Sequence, residues 1–262
     1  MFFTMKKAHF LFVLLLSQFS SLSQNIIIPD VNLKNALVNN LCVDNNNDSI
    51  GELDVDTNND GEIQISEAEA VINLLLSGHS ISSMEGIESF ANIQKLVCSY
   101  NFVTNLNLTN LSKLKYLYCT NNQLKQLNIQ NISSLKEVTC NNNLLSDLNL
   151  NGLINLSYLT MSNNLFSTLD FSSLTTSLTY LDCSQNPLAS ININGLNLLK
   201  HLFISNTLLT TIDCSQSSVT QLFCFDNPNL TSINIKNHLN IQYNCYKHIK
   251  NSFYKKNFNN KN

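Results

Sequence analysis

The sequence predicts a solenoid of short stacked strands, with a parallel sheet on its concave face, short irregular or extended convex segments, and a small helical N-terminal cap. Three observations predict it. Cys98, Cys119, Cys140, Cys183, Cys224 and Cys245 recur at about 21 residues or its double, and the rungs that lack Cys carry Leu76, Met161 and Ile204. Asn101, Asn122, Asn143, Asn164, Asn186 and Asn227 follow three residues after that column. A second apolar pair comes later in each unit, from Leu106 and Leu108 to Ile233 and Ile235. Self-similarity at a fixed period of this length is the signature of stacked repeats.

Composition limits the function. The chain has 262 residues, a net charge of −3 and only 13% charged residues. Its basic residues are all Lys, too sparse for the phosphate contacts that nucleic-acid binding requires.

Residues 1–23 read as a signal peptide. Lys6 and Lys7 precede the apolar run Ala8 to Leu16, and Ser21-Leu22-Ser23 offers small residues for cleavage before Gln24. The apolar stretch is shorter than the roughly 20 residues a membrane span needs. The mature chain is therefore expected to be secreted, at the cell surface or periplasmic, with no span of its own.

Residues 24–73 form the expected cap, with a helix from Asp30 to Asn40. Nine of the eighteen acidic residues crowd between Asp44 and Glu69, which is repulsive unless positive charge sits among them. Within that stretch, residues 56–67 satisfy D-x-[DN]-x-[DN]-G-x5-E and resemble an EF-hand calcium loop. The resemblance implies a Ca2+ site. Asp56, Asn58 and Asp60 would supply side-chain oxygens, Glu62 its carbonyl, Gln64 a direct or water-bridged contact, and Glu67 both carboxylate oxygens. Gly61 permits the sharp turn and Ile63 points to the core. The segment departs from a full EF-hand because the Asp30–Asn40 helix is separated from Asp56. A second loop at Asp44 is incomplete, with Ser49 in place of Gly and Val55 in place of the bidentate Glu.

Residues 74–242 hold about eight units, beginning at Leu74, Leu96, Leu117, Val138, Leu159, Leu181, Leu202 and Leu222. The clearest copy, Leu114 to Leu124, reads L-x-x-L-x-C-x-x-N-x-L. It resembles the leucine-rich repeat family, and the 21-residue unit looks like its extracellular bacterial, internalin-like branch. In each unit a period-two alternation sends Leu117 and Cys119 inward and Tyr118 outward. A column that accepts Leu, Met or Ile is a core column, so its cysteines are expected to be buried thiols rather than disulfides. Residues 243–262 hold a partial repeat and a Lys-rich tail, which reads equally as a helical cap, a disordered basic tail or the abrupt end of a longer protein.

No enzymatic motif occurs, and His201 beside Asp182 lacks a nucleophile, so the protein is expected not to be an enzyme. The residues expected to face out from the strands include Tyr116, Tyr118, Tyr158, Tyr180, His201, Phe203, Phe223 and Phe225, with Thr160 and Ser205 between them. Such a face suits a protein or cell-surface glycan partner bound by a monomer.

Overall fold

A computed structural model describes residues 24–235 and 242–245. The signal-peptide reading and the Lys-rich tail lie outside the described residues. Within them the chain is a parallel-strand β-solenoid of about eight turns, the leucine-rich repeat architecture that the sequence predicts.

The cap begins with α1 (Val31–Asn39), which buries Leu33, Ala36 and Leu37 against the first turns. Asp30 caps it, its Oδ1 accepting the amides of Asn32 and Leu33 at 2.9 Å. The other carboxylate oxygen accepts the Ser82 amide, the Ser82 hydroxyl and the Ser83 amide, tying the start of α1 to the entry of the repeats. Burial raises the Asp30 pKa, but these donors together outweigh it and hold the carboxyl below its ordinary value. A short helix, α2 (Ile65–Ala70), starts inside the acidic loop with a reciprocal capping box between Gln64 and Glu67.

Among the described residues, thirteen three-residue strands follow. Nine form one parallel sheet: β1 (Asn73–Leu75), β2 (Lys95–Val97), β4 (Tyr116–Tyr118), β6 (Glu137–Thr139), β7 (Tyr158–Thr160), β8 (Tyr180–Asp182), β9 (His201–Phe203), β11 (Gln221–Phe223) and β13 (Gln242–Asn244), in that spatial order. Register is strict, with Leu96 opposite Leu117, Leu117 opposite Val138 and Val138 opposite Leu159. Through most of this sheet the middle residue of each strand is buried and its neighbours face out, as the period-two alternation requires. The second apolar pairs line the opposite wall of the core. They form regular strands only at β3 (Asn105–Asn107) with β5 (Gln126–Asn128) and at β10 (Thr211–Asp213) with β12 (Ser232–Asn234).

The Asn ladder holds the turns together. Asn143 Nδ2 donates to the carbonyls of Cys119 at 3.0 Å and Cys140 at 3.1 Å, while its Oδ1 accepts the Leu124 amide at 3.0 Å. One amide thus satisfies backbone groups on successive turns that would otherwise be buried unpaired. Thr207 interrupts the ladder without loosening it, because its amide and hydroxyl both donate to Asn227 Oδ1 at 2.7 Å.

One expectation about cysteine is corrected. Cys224 and Cys245, on adjacent turns of the same column, are joined by a disulfide with Cα atoms 4.6 Å apart. Parallel stacking brings the Cα atoms within bonding range, and at this rung the side chains close the remaining gap. Among the described residues, Cys42, Cys98, Cys119, Cys140, Cys183 and Cys214 are buried and outside any disulfide.

Candidate functional site

Two regions concentrate functional side chains. The first is the outward face of the nine-stranded sheet, where parallel register stacks like positions at the inter-strand step of about 4.8 Å. From Tyr158 onward that stacking makes a continuous pile of rings. Tyr158 and Tyr180 lie face to face with centroids 4.2 Å apart, Tyr180 meets Phe203 at 5.1 Å, and Phe203 stacks on Phe223 at 4.5 Å and 2°. His201 joins at 5.8 Å from Tyr180, its Nδ1 2.8 Å from Gln221 Oε1.

Tyr116 and Tyr118 share the face on an earlier turn. Burial, together with the neighbouring Glu137 carboxylate, pushes the Tyr118 phenol up to about 12. Burial, followed by neighbouring Tyr158, also raises the Tyr180 phenol, so both hydroxyls stay protonated donors. Phe225 lies beyond the end of β11 and is 37% exposed.

Thr160 and Ser205 are buried, against expectation, and their hydroxyls find no hydrogen-bond partner. Short side chains beside taller ones on a sheet floor are covered by them. The sequence reading also missed an apolar column along the edge of this face, one residue past the ladder position. Phe102, Leu144, Leu165 and Leu208 are all substantially exposed there. Their recurrence at the repeat period was the available signal.

The second region is the acidic loop of residues 56–67. Asp56 Oδ1 and Oδ2 accept the amides of Asp60 and Gly61 at 3.1 and 2.8 Å. Glu67 reaches back, one oxygen accepting the Thr57 hydroxyl and Asn58 amide, the other the Gln64 amide. Gln64 Nε2 bonds Asp60, and Asn58 Nδ2 bonds both Asp60 and Gln64. The Glu62 amide donates to Asp60 and holds its carboxyl below the ordinary range. The Glu62 side chain turns away to pair with Lys34 of α1 at 2.7 Å. Gly61 has φ +81°, which favours glycine, and Ile63 is buried.

Among the described residues, no group of three or more His, Cys, Asp or Glu side chains is arranged to hold a metal ion. Here the amides of Asn58 and Gln64 stand between the carboxylates. The donor set nevertheless offers oxygen alone once those amides rotate, which is the chemistry of a hard cation. Asp56 and Glu67 are only 2% and 6% exposed, and among the described residues neither forms an ion pair. Two buried carboxylates in one loop without a cation are costly.

The preceding segment follows the same path, although its sequence fails the pattern. Asp44 accepts the amides of Asn47 and Ser49, Asn46 accepts that of Asp48, and Asp48 accepts that of Ile50. Glu52 replaces the missing distal carboxylate, accepting from the Asn45 amide and the Asn46 side chain. Ser49 takes the left-handed conformation, φ +69°, that Gly61 takes in the second loop. A lysine enters here: Lys95 Nζ lies 3.6 Å from Asp44 Oδ2 and 2.7 Å from Ser49 Oγ.

Among the described residues, no helix is long and apolar enough to cross a membrane. No protein-family model and no curated protein matches the sequence. Solved structures do resemble the fold. Internalin C2 from Listeria monocytogenes aligns with a TM-score of 0.60 at 21% identity, over 84% of this chain and 95% of that one. The functional domain of InlJ from Listeria monocytogenes, described as including a cysteine ladder, aligns with a TM-score of 0.51 at 23% identity, over 71% of this chain. This chain spans about half of the InlJ chain, 51%. At these identities the likeness is one of fold.

Proposed function

We propose that this is an exported, non-enzymatic leucine-rich repeat protein that binds a protein partner through the outward face of its main sheet, with calcium stiffening the N-terminal cap. The observation that carries the first part is the ring pile Tyr158–Tyr180–Phe203–Phe223. Core packing does not require these outward rings, and their stacking spends little side-chain entropy on a partner because they are already ordered. The apolar edge at Leu144, Leu165 and Leu208 widens the patch. Large exposed apolar patches on repeat surfaces suit macromolecular recognition.

The way the rings stack favours protein over glycan. A sugar ring packs against an open aromatic face, whereas Tyr158 and Tyr180, and Phe203 and Phe223, each cover a face of the other. Ring edges and tyrosine hydroxyls suit the mixed apolar and carbonyl surface of a protein. Protein and glycan arrays probed in parallel with wild type and with the Tyr158→Ala, Phe203→Ala double variant test the reading. The expected result is a protein hit weakened by at least about 2 kcal/mol in the double variant. Lys125→Ala with Asn128→Ala, on the other wall, should leave it unchanged. Glycan hits alone, or equal loss in both doubles, would defeat the proposal.

The calcium part rests on the oxygen-rich loop and its two buried carboxylates, which among the described residues face no protein cation. Asp56, Asn58, Asp60, Gln64 and Glu67 would hold the ion through side chains and Glu62 through its carbonyl. With no second EF-hand helix pair to open, the ion's role is structural. It would neutralise the loop and fix α2 against the first turn.

A further inference from the structure

The Cys224–Cys245 bridge fixes what the cysteine column permits: side chains on adjacent turns, 21 residues apart, can bond across the inter-strand gap. Among the described residues, only one other place repeats that arrangement. Cys98, Cys119 and Cys140 occupy three successive turns of the column. The parallel ladder continues through them, with Cys98 N donating to Tyr118 O at 2.8 Å and Cys119 N to Thr139 O at 2.9 Å. Their Cα spacing is therefore the ordinary step of about 4.8 Å, inside the range that disulfides span. Cys119 Sγ leans toward the next turn, 3.5 Å from Thr139 O, and Cys140 Sγ does the same toward Thr160 O. Cys183 Sγ leans the same way, 3.8 Å from Phe203 O, but has Met161 and Ile204 as column neighbours, and Cys214 lies on the other wall between Ile193 and Ile235.

We infer that Cys119 is the shared partner in a single disulfide of this triplet, closed to Cys98 or to Cys140 while the chain folds in the presence of a small-molecule disulfide. Three thiols in a line allow one bridge, and the central residue belongs to either choice. In the step, two cysteine S–H bonds and the S–S bond of glutathione disulfide break. One Sγ–Sγ bond forms, two electrons pass to the glutathione pair, and the two protons leave with its thiols.

All three side chains are fully buried in the folded chain, so the exchange belongs to the stage before the turns stack. Afterwards the bridge stays where it formed. Exchange needs a thiolate, and burial pushes the Cys98 and Cys140 thiols up to about 12. The third cysteine therefore remains a trapped thiol beside the bridge.

The test is refolding of the full chain in a glutathione and glutathione-disulfide buffer. Free thiols are then alkylated under denaturing conditions and the products mapped by peptide mass spectrometry. Cys224–Cys245 in the same sample serves as the internal control. The expected result is Cys119 linked to Cys98 in some molecules and to Cys140 in the rest, with the third residue alkylated. Cys119→Ala should leave both Cys98 and Cys140 alkylated, while Cys98→Ala should retain the Cys119–Cys140 link. The inference is overturned if all three residues are alkylated, whether or not Cys224–Cys245 has closed. A Cys98–Cys140 link would overturn it as well, because those residues are two turns apart.

Discussion

The two acidic loops of the cap run along nearly the same backbone path yet handle their charge differently. Residue four of each is a left-handed Asn, Asn47 at φ +64° and Asn59 at φ +59°, and residue six is left-handed as well. In each, the first Asp gathers backbone amides beneath it. The loop that fails the calcium pattern receives a protein cation, Lys95, beside its fully buried Asp44. The loop that satisfies the pattern keeps Asp56 and Glu67 buried with no ion pair among the described residues. The first cluster is thus completed from the fold, and on the calcium proposal the second would be completed from solution.

The largest effect should come from removing the lysine. Lys95→Met leaves Asp44 buried without a cation and should destabilise the protein by about 3 kcal/mol in denaturant titrations, the scale for a broken buried pair. That loss should be the same in calcium and in chelator. A loss that vanished on adding calcium would make the two loops equivalent and break the comparison.

Calcium itself comes next. At a free concentration one hundred times its dissociation constant it should stabilise the folded state by about 2.7 kcal/mol, because an ion that binds only that state shifts folding by mass action. Glu67→Gln should abolish most of this difference, while Glu52→Gln in the first loop should leave it intact. Identical melting curves with and without chelator, at several times a dissociation constant of about 1 mM, would remove calcium from the protein.

A smaller effect separates backbone from charge. Gly61→Ser gives the second loop the residue of the first at its left-handed position. No atom lies within 4 Å of the added Cβ, so the cost is conformational alone. It should amount to about 1 kcal/mol in chelator. A much larger loss would mean that the glycine, and not the missing lysine, distinguishes the loops.

Asp30 offers the smallest and most diagnostic contrast, as a cap carboxylate satisfied entirely by protein N–H and O–H donors. Its pKa is lowered in the folded state from an ordinary 3.8. Its stabilisation is therefore complete above that value and is lost as the pH falls below it, through the folded pKa. Asp30→Asn should flatten the acid limb of the stability curve in that window. It should leave the calcium response unchanged at neutral pH.

Much of this was legible in the chain itself, because it depends on period. Each rung repeats the same local problem, so the inward Leu and Cys columns, the Asn ladder and the opposing apolar pairs all declare themselves at a spacing of about 21 residues. The tight turn of residues 56–67 was legible for a related reason, since the groups that hydrogen-bond within it lie in twelve consecutive positions.

What the tertiary structure decided are relations between turns, and between distant segments, that no single period encodes. Lys95 meets Asp44 and Ser49 across the first turns. The left-handed residue before each ladder position is Asn at 121, 142, 163 and 206, but Tyr100, Gln185 and Asp226 adopt it too, because the turn imposes it. Thr160 and Ser205 alternate outward by sequence and are covered by their neighbours in space. Cys224 is bridged whereas Cys183, in the same column, is not, because a bond needs a matching partner on the adjacent turn as well as a place in the period.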